Sequence, residues 1–200
     1  MLSTYLLKSR FQAILRPVAK WLHGSGVTAN QITIGTCLIS LLLGSMAIWL
    51  CCSKYLFLLI SFWCLIRMAC NALDGMLARE YGQASHLGAV LNEAGDIVSD
   101  IALYLPFAWV AGSHTAWVVA IVVLSASMEV LSWACARDNR PRANHGPMGK
   151  SDRALVFGVT ALLIGCGINV ADWVTWLWWV VTALLIITFY NRLRYLAAKK

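Results

Sequence analysis

Polar side chains with the capacity for chemistry lie inside segments that are otherwise apolar. Charged groups are costly in such surroundings and usually belong to a functional site. We therefore expect the chemistry of this protein at six ionisable residues and two amides, namely Arg67, Asn71, Asp74, Asn92, Glu93, Asp96, Asp100 and Glu129.

The spacing of these residues predicts two polar helix faces. Positions 67, 71, 74 and 78 recur at helical intervals, and positions 88, 92, 96 and 100 are each four apart. Each step of four residues turns the helix by about 40° and advances about 6 Å. Asn92 and Asp96 therefore share a face with Gly88, whereas Asp100 is deeper and begins to turn aside. Glu93 is expected to point away from this face.

Two antiparallel neighbouring helices would bring Asn71 and Asp74 opposite Asn92 and Asp96. Carboxylates grouped in this way repel each other unless a cation lies between them, and their oxygens suit magnesium, manganese or calcium. The alternative is a set of hydrogen bonds between helices, which remains open for either asparagine alone. Arg67 is interpreted as a charge partner of Asp96, Asp100 or Glu129, and a direct role for Glu129 is left open.

The composition identifies an integral membrane protein. Of the 200 residues, 60% are hydrophobic and only 12% are charged, whereas soluble domains carry about 25% charged residues. A soluble surface cannot be covered with so little charge. The net charge of +7 suits a basic rim that faces anionic lipid and phosphate-bearing substrates, and no nucleic-acid partner is expected.

The apolar segments predict an all-α integral membrane fold with six transmembrane helices. A crossing needs roughly 20 apolar residues, and the chain 1–200 is expected to be a single domain. In residues 1–25 apolar residues recur at helical spacing and basic residues fall mainly on the other side, which predicts an amphipathic helix at the membrane interface. Residues 29–195 are expected to form the six-helix bundle. The predicted crossings are 29–52, 55–80, 85–111, 114–137, 151–169 and 171–195.

Basic residues predict the orientation in the membrane. They cluster in residues 1–25, at Arg79, in the loop 138–150 and in residues 192–200, whereas the opposite turns hold only Lys54. Both termini and the polar end of the second crossing are therefore expected on the cytoplasmic side of a multi-pass inner-membrane protein.

The stretch 71–96 resembles the signature of the CDP-alcohol phosphatidyltransferases, D-x-x-D-G-x-x-A-R followed about eight residues later by G-x-x-x-D-x-x-x-D. Asp74, Gly75, Ala78 and Arg79 match, residues 80–87 intervene, and Gly88 and Asp96 fall in place. Asn71 and Asn92 occupy the first and third acidic positions. The stretch GVTANQIT, the N-terminal helix and six crossings agree with the family over nearly the whole chain.

The resemblance implies a site for a CDP-lipid, divalent cations and an acceptor alcohol. The cation would be Mg²⁺ or Mn²⁺. Its ligands would be Asn71, Asp74, Asn92 and Asp96, with Asp100 as a further candidate. Asp96 would also be the catalytic base that deprotonates the alcohol. The residues implied to contact the CDP-lipid, CDP-diacylglycerol for example, are Asp74, Gly75, Ala78, Arg79 and Gly88.

The two asparagines leave three interpretations open. The site works with asparagine ligands aided by Asp100 or Glu93, or it holds one metal, or it belongs to a relative that binds lipid without catalysis. We favour an active enzyme because a decayed site has no reason to keep Asp96 and Asp100 in an apolar segment.

A second basic group, Lys150 and Arg153 in the stretch GPMGKSDRA, precedes the fifth crossing. Its spacing resembles the acceptor-phosphate site of family members that use inositol phosphate or glycerol phosphate, and Arg192 is a candidate third member. The predicted function is transfer of a phosphatidyl group to a phosphorylated polyol, with glycerol 3-phosphate preferred to inositol phosphate and with release of CMP. The resemblance also implies a homodimer. The alternatives are a lipid-binding or interaction protein of the same family and a small transporter, but the inverted repeat of a transporter is not found.

Overall fold

The protein is all-helical in the part that the structure, a computed structural model, describes: residues 2–50, 53–137 and 146–197. Residues 138–145 of the predicted loop 138–150 lie outside these ranges. Brief turns connect the described helices, except between α5 and α6. They are α1 (Leu2–Gly24), α2 (Ala29–Trp49), α3 (Lys54–Glu80), α4 (His86–Tyr104), a 3₁₀ helix (Leu105–Trp109), α5 (Thr115–Arg137), α6 (Lys150–Gly165) and α7 (Val174–Ala197).

Four of these helices are long and apolar enough to cross a membrane. The qualifying segments are Ala29–Trp49, Lys54–Glu80, Thr115–Trp133 and Val174–Leu196, in α2, α3, α5 and α7. α4 carries three acidic residues, and α6 has only 16 residues. The six predicted segments match α2 to α7 in order, but six membrane crossings remain a prediction.

The third predicted segment, 85–111, is divided into two helices. α4 ends at Tyr104, and the 3₁₀ helix Leu105–Trp109 follows with Pro106 in its first turn. Proline has no backbone N–H and cannot continue an α-helical hydrogen-bond ladder. The change of helix type at this point therefore follows from one residue.

Polar caps set the start of α2 and α4. Thr28 Oγ1 accepts from the Gln31 N–H at 3.3 Å, and Gln31 Oε1 accepts from the Thr28 N–H at 2.9 Å. This reciprocal pair is a capping box at the start of α2. Ser85 Oγ accepts from the Gly88 N–H at 2.9 Å and caps α4.

α2 packs against both α3 and α4 and so fixes their relative position. Its close approach to α4 depends on Gly44, where a Cβ would lie 2.1 Å from the carbonyl oxygen of Ala102. Any larger residue would push the helices apart. Small residues at such crossings are typical of helix packing in membranes.

α1 packs against α3 at the end that bears the signature. Ala19 is fully buried with Leu73 and Met76, and Arg16 Nη2 lies 3.2 Å from Glu80 Oε1. The apolar side chain of Ile14 remains exposed. This combination suits the predicted interfacial helix, whose place at the membrane surface remains a prediction.

An aromatic cluster fills the core next to the polar residues. Tyr104 and Phe157 stack with ring centroids 4.0 Å apart, and Phe157 stacks on Trp178 at 4.9 Å. Tyr104 follows Asp100 by four residues on α4, and Phe157 follows Arg153 by four residues on α6. The apolar core therefore begins one helical turn beyond the buried charges.

Candidate active site

The polar residues of α3 and α4 meet across the interior of the bundle. Asn71 Nδ2 donates to Asp96 Oδ1 at 2.9 Å, and Arg67 Nη1 lies 2.5 Å from Asp100 Oδ1. Between these two contacts the chain moves back four residues on α3, from 71 to 67, and forward four residues on α4, from 96 to 100. The two helices therefore run antiparallel, with the predicted faces opposed.

A cavity of about 280 Å³ lies among the start of α2, the end of α3 and the start of α4. We call it the signature cavity. The structure brings together at its wall all five residues that the sequence assigned to the CDP-lipid, namely Asp74, Gly75, Ala78, Arg79 and Gly88.

Two glycines keep this cavity open. A Cβ on Gly88 would lie 2.7 Å from Asn30 Oδ1, and one on Gly75 would lie 3.0 Å from Arg79 Nη2. The first distance is shorter than real Cβ contacts, and the second is tight and would require the Arg79 side chain to shift. The glycines therefore leave room for polar groups that line the cavity.

Three further polar residues of the wall were not assigned to the site from the sequence: Asn30, Thr33 and Gln83. Thr33 Oγ1 donates to Asp74 Oδ2 at 2.9 Å, and Gln83 Oε1 accepts from the Ala29 N–H at 2.8 Å. Asn30 and Thr33 are three residues apart on one face of α2. Their polarity within GVTANQIT was the available signal, but their target on α3 could not be identified without the fold.

A larger cavity of about 490 Å³ adjoins this region. Its wall includes Asn71, Asn92 and Asp96 as well as Lys150 and Arg192. Asn92 lines both cavities. The two spaces therefore meet at the third acidic position of the signature.

Glu93 also lines the larger cavity, and this corrects the expectation that it points away from the face of Asn92 and Asp96. Adjacent residues on a helix are 100° apart. The cavity is wide enough to reach both positions because it extends from α4 toward the start of α6.

Asp96 is surrounded by hydrogen-bond donors, two of them cationic. Its Oδ1 accepts from Asn71 at 2.9 Å and lies 3.3 Å from Arg67 Nη2, which also donates to the Asp96 carbonyl oxygen at 3.0 Å. Its Oδ2 forms an ion pair with Lys150. Asp96 is 8% exposed, so the carboxylate is held in one orientation at the cavity wall.

The structure does not bring Asp100 to the other proposed metal ligands. Its carboxylate lies between Arg67, at 2.5 Å, and Arg153 Nη2, at 3.3 Å. Arg153 Nη2 also donates to Glu129 Oε1 at 2.9 Å. The interpretation of Arg67 as a charge partner is thus confirmed for Asp96 and Asp100, and Asp100 belongs to a buried ion-pair network.

The three basic residues assigned to the acceptor phosphate are divided by the fold. Lys150 and Arg192 line the larger cavity. Arg153 is fully buried behind it, and its Nε and Nη1 have no hydrogen-bond partner among the described residues. Arg192 donates to the carbonyl oxygen of Met128 at 3.2 Å, so only part of its guanidinium is engaged.

The oxygen donors near the signature include a carboxylate and an amide that suit a divalent cation. Within residues 2–50, 53–137 and 146–197 there is no cluster of three or more His, Cys, Asp and Glu side chains that could hold a metal. Asp74 and Asn92 face the signature cavity together and offer a carboxylate and an amide oxygen, which are ligands for Mg²⁺ or Mn²⁺. Asp96, in contrast, already faces two side-chain cations.

Comparison with known proteins gives one family and several relatives. Residues 26–187 match the family model described as CDP-alcohol phosphatidyltransferase. The chain is 42% identical over 193 residues to the inner membrane protein YnbA of Escherichia coli (strain K12), which covers 96% of each chain. It is 26% identical over 189 residues to the phosphatidylinositol phosphate synthase of Mycobacterium tuberculosis (strain ATCC 25618 / H37Rv), covering 86% of this chain and 77% of that protein.

Solved structures share the fold. The Mycobacterium tuberculosis phosphatidylinositol phosphate synthase with CDP-DAG bound superposes with a TM-score of 0.66 at 22% identity, covering 91% of this chain and 92% of that chain. The same synthase in complex with manganese and citrate gives a TM-score of 0.64 at 21% identity, with coverage of 89% and 86%.

Proposed function

The chain belongs to the CDP-alcohol phosphatidyltransferase family, a family of enzymes, and we propose that it transfers a phosphatidyl group from CDP-diacylglycerol to a phosphorylated polyol, with release of CMP. The observation that carries this proposal is the gathering of Asp74, Gly75, Ala78, Arg79 and Gly88 around one cavity. A second cavity meets it at Asn92 and holds Asp96. Two adjoining spaces suit a reaction between two substrates.

The lipid tails are proposed to leave the site between α3 and α6. A space lined by Arg67, Asn71 and Lys150 adjoins the larger cavity, and Cys64 and Met68 continue it into an apolar groove. The groove's wall is formed almost entirely by apolar side chains of these two helices. Acyl chains in this groove would run away from the charged cavities, which matches the gradient from charged to apolar surface.

The signature cavity is proposed to hold the cytidine and its diphosphate. Gly75 and Gly88 leave space beside the helix backbones, and the Arg79 guanidinium carries the positive charge that a diphosphate needs. Asp74 and Asn92 would hold Mg²⁺ or Mn²⁺. When bound, the cation supplies positive charge that stabilises the diphosphate and the leaving CMP.

Asp96 is proposed to take the proton of the acceptor hydroxyl. The hydroxyl oxygen attacks the phosphorus that carries the diacylglycerol, a new P–O bond forms, and the P–O bond to CMP breaks with its electron pair leaving on CMP. A general base contributes about 10²- to 10⁴-fold to such a step. Arg67 and Asn71 orient the carboxylate toward the larger cavity through the contacts given above.

The acceptor is proposed to be a phosphorylated polyol, glycerol 3-phosphate or inositol phosphate. Lys150 and Arg192 at the wall of the larger cavity are the cations that would contact its phosphate. Arg153 would act indirectly, because its Nη2 holds Asp100 and Glu129. The named activity of the mycobacterial relatives, phosphatidylinositol phosphate synthase, supports an acceptor of this class.

The surroundings of the enzyme are part of the same proposal. We place it in the inner membrane, as the name of the Escherichia coli relative suggests, with six crossings, both termini and the active site on the cytoplasmic side. The basic residues at these positions support this orientation. A homodimer is proposed because the family resemblance implies one.

The proposal is tested by reconstituting the purified protein in liposomes with CDP-diacylglycerol and Mn²⁺ or Mg²⁺. Glycerol 3-phosphate, inositol phosphate and their unphosphorylated alcohols are supplied in turn, and lipid products are identified by mass spectrometry. We expect CMP release only with a phosphorylated acceptor. CMP release with none of the alcohols would favour the alternative, a lipid-binding protein that exploits the same cavity without catalysis.

A further inference from the structure

Within the CDP-lipid site proposed above, on which this inference rests, we propose that a single divalent cation binds, at Asp74, and that the Lys150 ammonium takes the place of a second cation at Asp96. The signature resembled by residues 71–96 has four acidic positions, whereas this chain has aspartates at 74 and 96 and asparagines at 71 and 92. The formal charge of the set is therefore −2 instead of −4. Two divalent cations would leave the set with a formal charge of +2 before any substrate arrives.

The surroundings of Asp96 oppose a metal ion. Lys150 forms an ion pair with Oδ2, and Arg67 lies 3.3 Å from Oδ1. The Asn71 amide turns its Nδ2, a donor, toward the same carboxylate. A cation approaching Asp96 would meet two positive charges and an N–H group at the position where the signature has a carboxylate.

The Arg67 guanidinium is held in place beside Asp96. Its Nη1 lies 2.5 Å from Asp100 Oδ1, and only 3% of the residue is exposed. Lys150 is set in place from the other side, because it is the first residue of α6, and the Asp152 carboxylate accepts from the Gly149 N–H at 2.8 Å. The Arg67 guanidinium is thus held by a contact that does not depend on substrate, and the backbone that carries Lys150 is held by the cap of α6.

Asp74 has different neighbours. Its Oδ2 accepts from Thr33 at 2.9 Å, and in the part of the chain that is described it forms no ion pair. The Asn92 side chain lines the same cavity and makes no hydrogen bond to another described residue. Asp74 and Asn92 therefore keep oxygen lone pairs available, which is the condition for holding one cation.

Lys150 is suited to replace a metal because of its geometry. An ammonium has three donors, so it can remain on Asp96 and still donate to a phosphate oxygen in the larger cavity that it lines. Its charge is one unit smaller than that of Mg²⁺. One divalent cation and one ammonium leave the four signature positions with a formal charge of +1, whereas two divalent cations would leave +2.

The test is the number of Mn²⁺ ions bound by the purified protein with CDP-diacylglycerol present and no acceptor. Free and bound Mn²⁺ are distinguished by electron paramagnetic resonance, and two ions a few ångströms apart broaden each other's signal. We expect about one ion per chain and no broadening. Asp74→Asn should abolish binding. The variant Asn71→Asp/Asn92→Asp/Lys150→Met should bind a second ion with the broadened signal.

Two coupled ions in the native protein, or none, would overturn the inference. So would a triple variant that elutes as a folded species in gel filtration and still binds only one. CMP release is measured separately on the same preparation. One bound ion without CMP release would remove the proposed transferase activity and leave the metal count standing, and two ions with CMP release would do the reverse.

Discussion

Arg67 on α3 and Asp100 on α4 form an ion pair in the interior of the bundle, with 2.5 Å between Nη1 and Oδ1 and side-chain exposures of 4% and 6%. Arg67 uses its other terminal nitrogen on Asp96, through both the carbonyl oxygen and the carboxylate. Asp100 therefore positions Asp96 indirectly, through Arg67. A residue outside the six matched letters of the signature thus supports a residue inside it.

Replacement of Asp100 by asparagine should destabilise the fold. The change leaves Arg67 and Arg153 facing a neutral amide in a buried site, and loss of one partner from a buried ion pair costs about 3–5 kcal/mol. Thermal unfolding in detergent, followed by tryptophan fluorescence, measures the effect.

The matched control for Asp100→Asn is Glu80→Gln. Glu80 pairs with Arg16 at 3.2 Å, but the two side chains are 37% and 63% exposed, and such surface pairs contribute about 0–1 kcal/mol. Equal losses of stability in the two variants would show that the buried network has no special importance.

Replacement of Asp96 by asparagine should remove activity without preventing folding. The amide keeps the shape of the side chain but cannot accept the acceptor proton, so CMP release should fall by at least about 100-fold. Asp172→Asn is the control, because Asp172 is exposed in the turn between α6 and α7, beyond the end of α6 opposite Lys150. Turnover within a few-fold of native in Asp96→Asn would place the base elsewhere.

Replacement of Gly88 by alanine should weaken use of the CDP-lipid. The new Cβ would lie 2.7 Å from Asn30 Oδ1, and overpacking of this kind costs about 1–3 kcal/mol. We expect kcat/KM for CDP-diacylglycerol to fall at least about fivefold, while the KM for the acceptor changes little.

Gly35→Ala provides the comparison for Gly88→Ala. Gly35 is on α2, and nothing lies within 4 Å of its added Cβ. Alanine is favoured over glycine in a helix by about 1 kcal/mol, so this variant should be fully active and no less stable. If both variants behaved alike, crowding at Asn30 would not be the cause.

Local spacing predicted the faces of α3 and α4 well because helical periodicity is a short-range property. The spacing alone showed that residues 71 and 74 share one helix face and that residues 92 and 96 share another. The family signature then assigned each residue its position in the site. The antiparallel register followed from the short turn between the two helices.

The spacing of residues in the sequence could not predict which opposite charge each charged side chain contacts. Arg153 and Lys150 are three residues apart, yet Arg153 is fully buried against Asp100, whereas Lys150 lines the larger cavity. Asp100 was a candidate ligand until its two arginine partners were located on α3 and α6. Partner choice of this kind depends on which helices pack together, and no local pattern encodes it.

Lys150 and Arg153 should respond differently to replacement by methionine. Lys150→Met removes a charged donor from the larger cavity, and a hydrogen bond to a charged group contributes about 1.5–3 kcal/mol, so the acceptor KM should rise roughly 10- to 100-fold in a protein of near-native stability. Arg153→Met leaves Asp100 and Glu129 without their shared partner, so it should instead lower the unfolding temperature. Kinetics and thermal unfolding of both variants decide the matter, since a stable Arg153→Met protein with a raised acceptor KM would place the phosphate on Arg153.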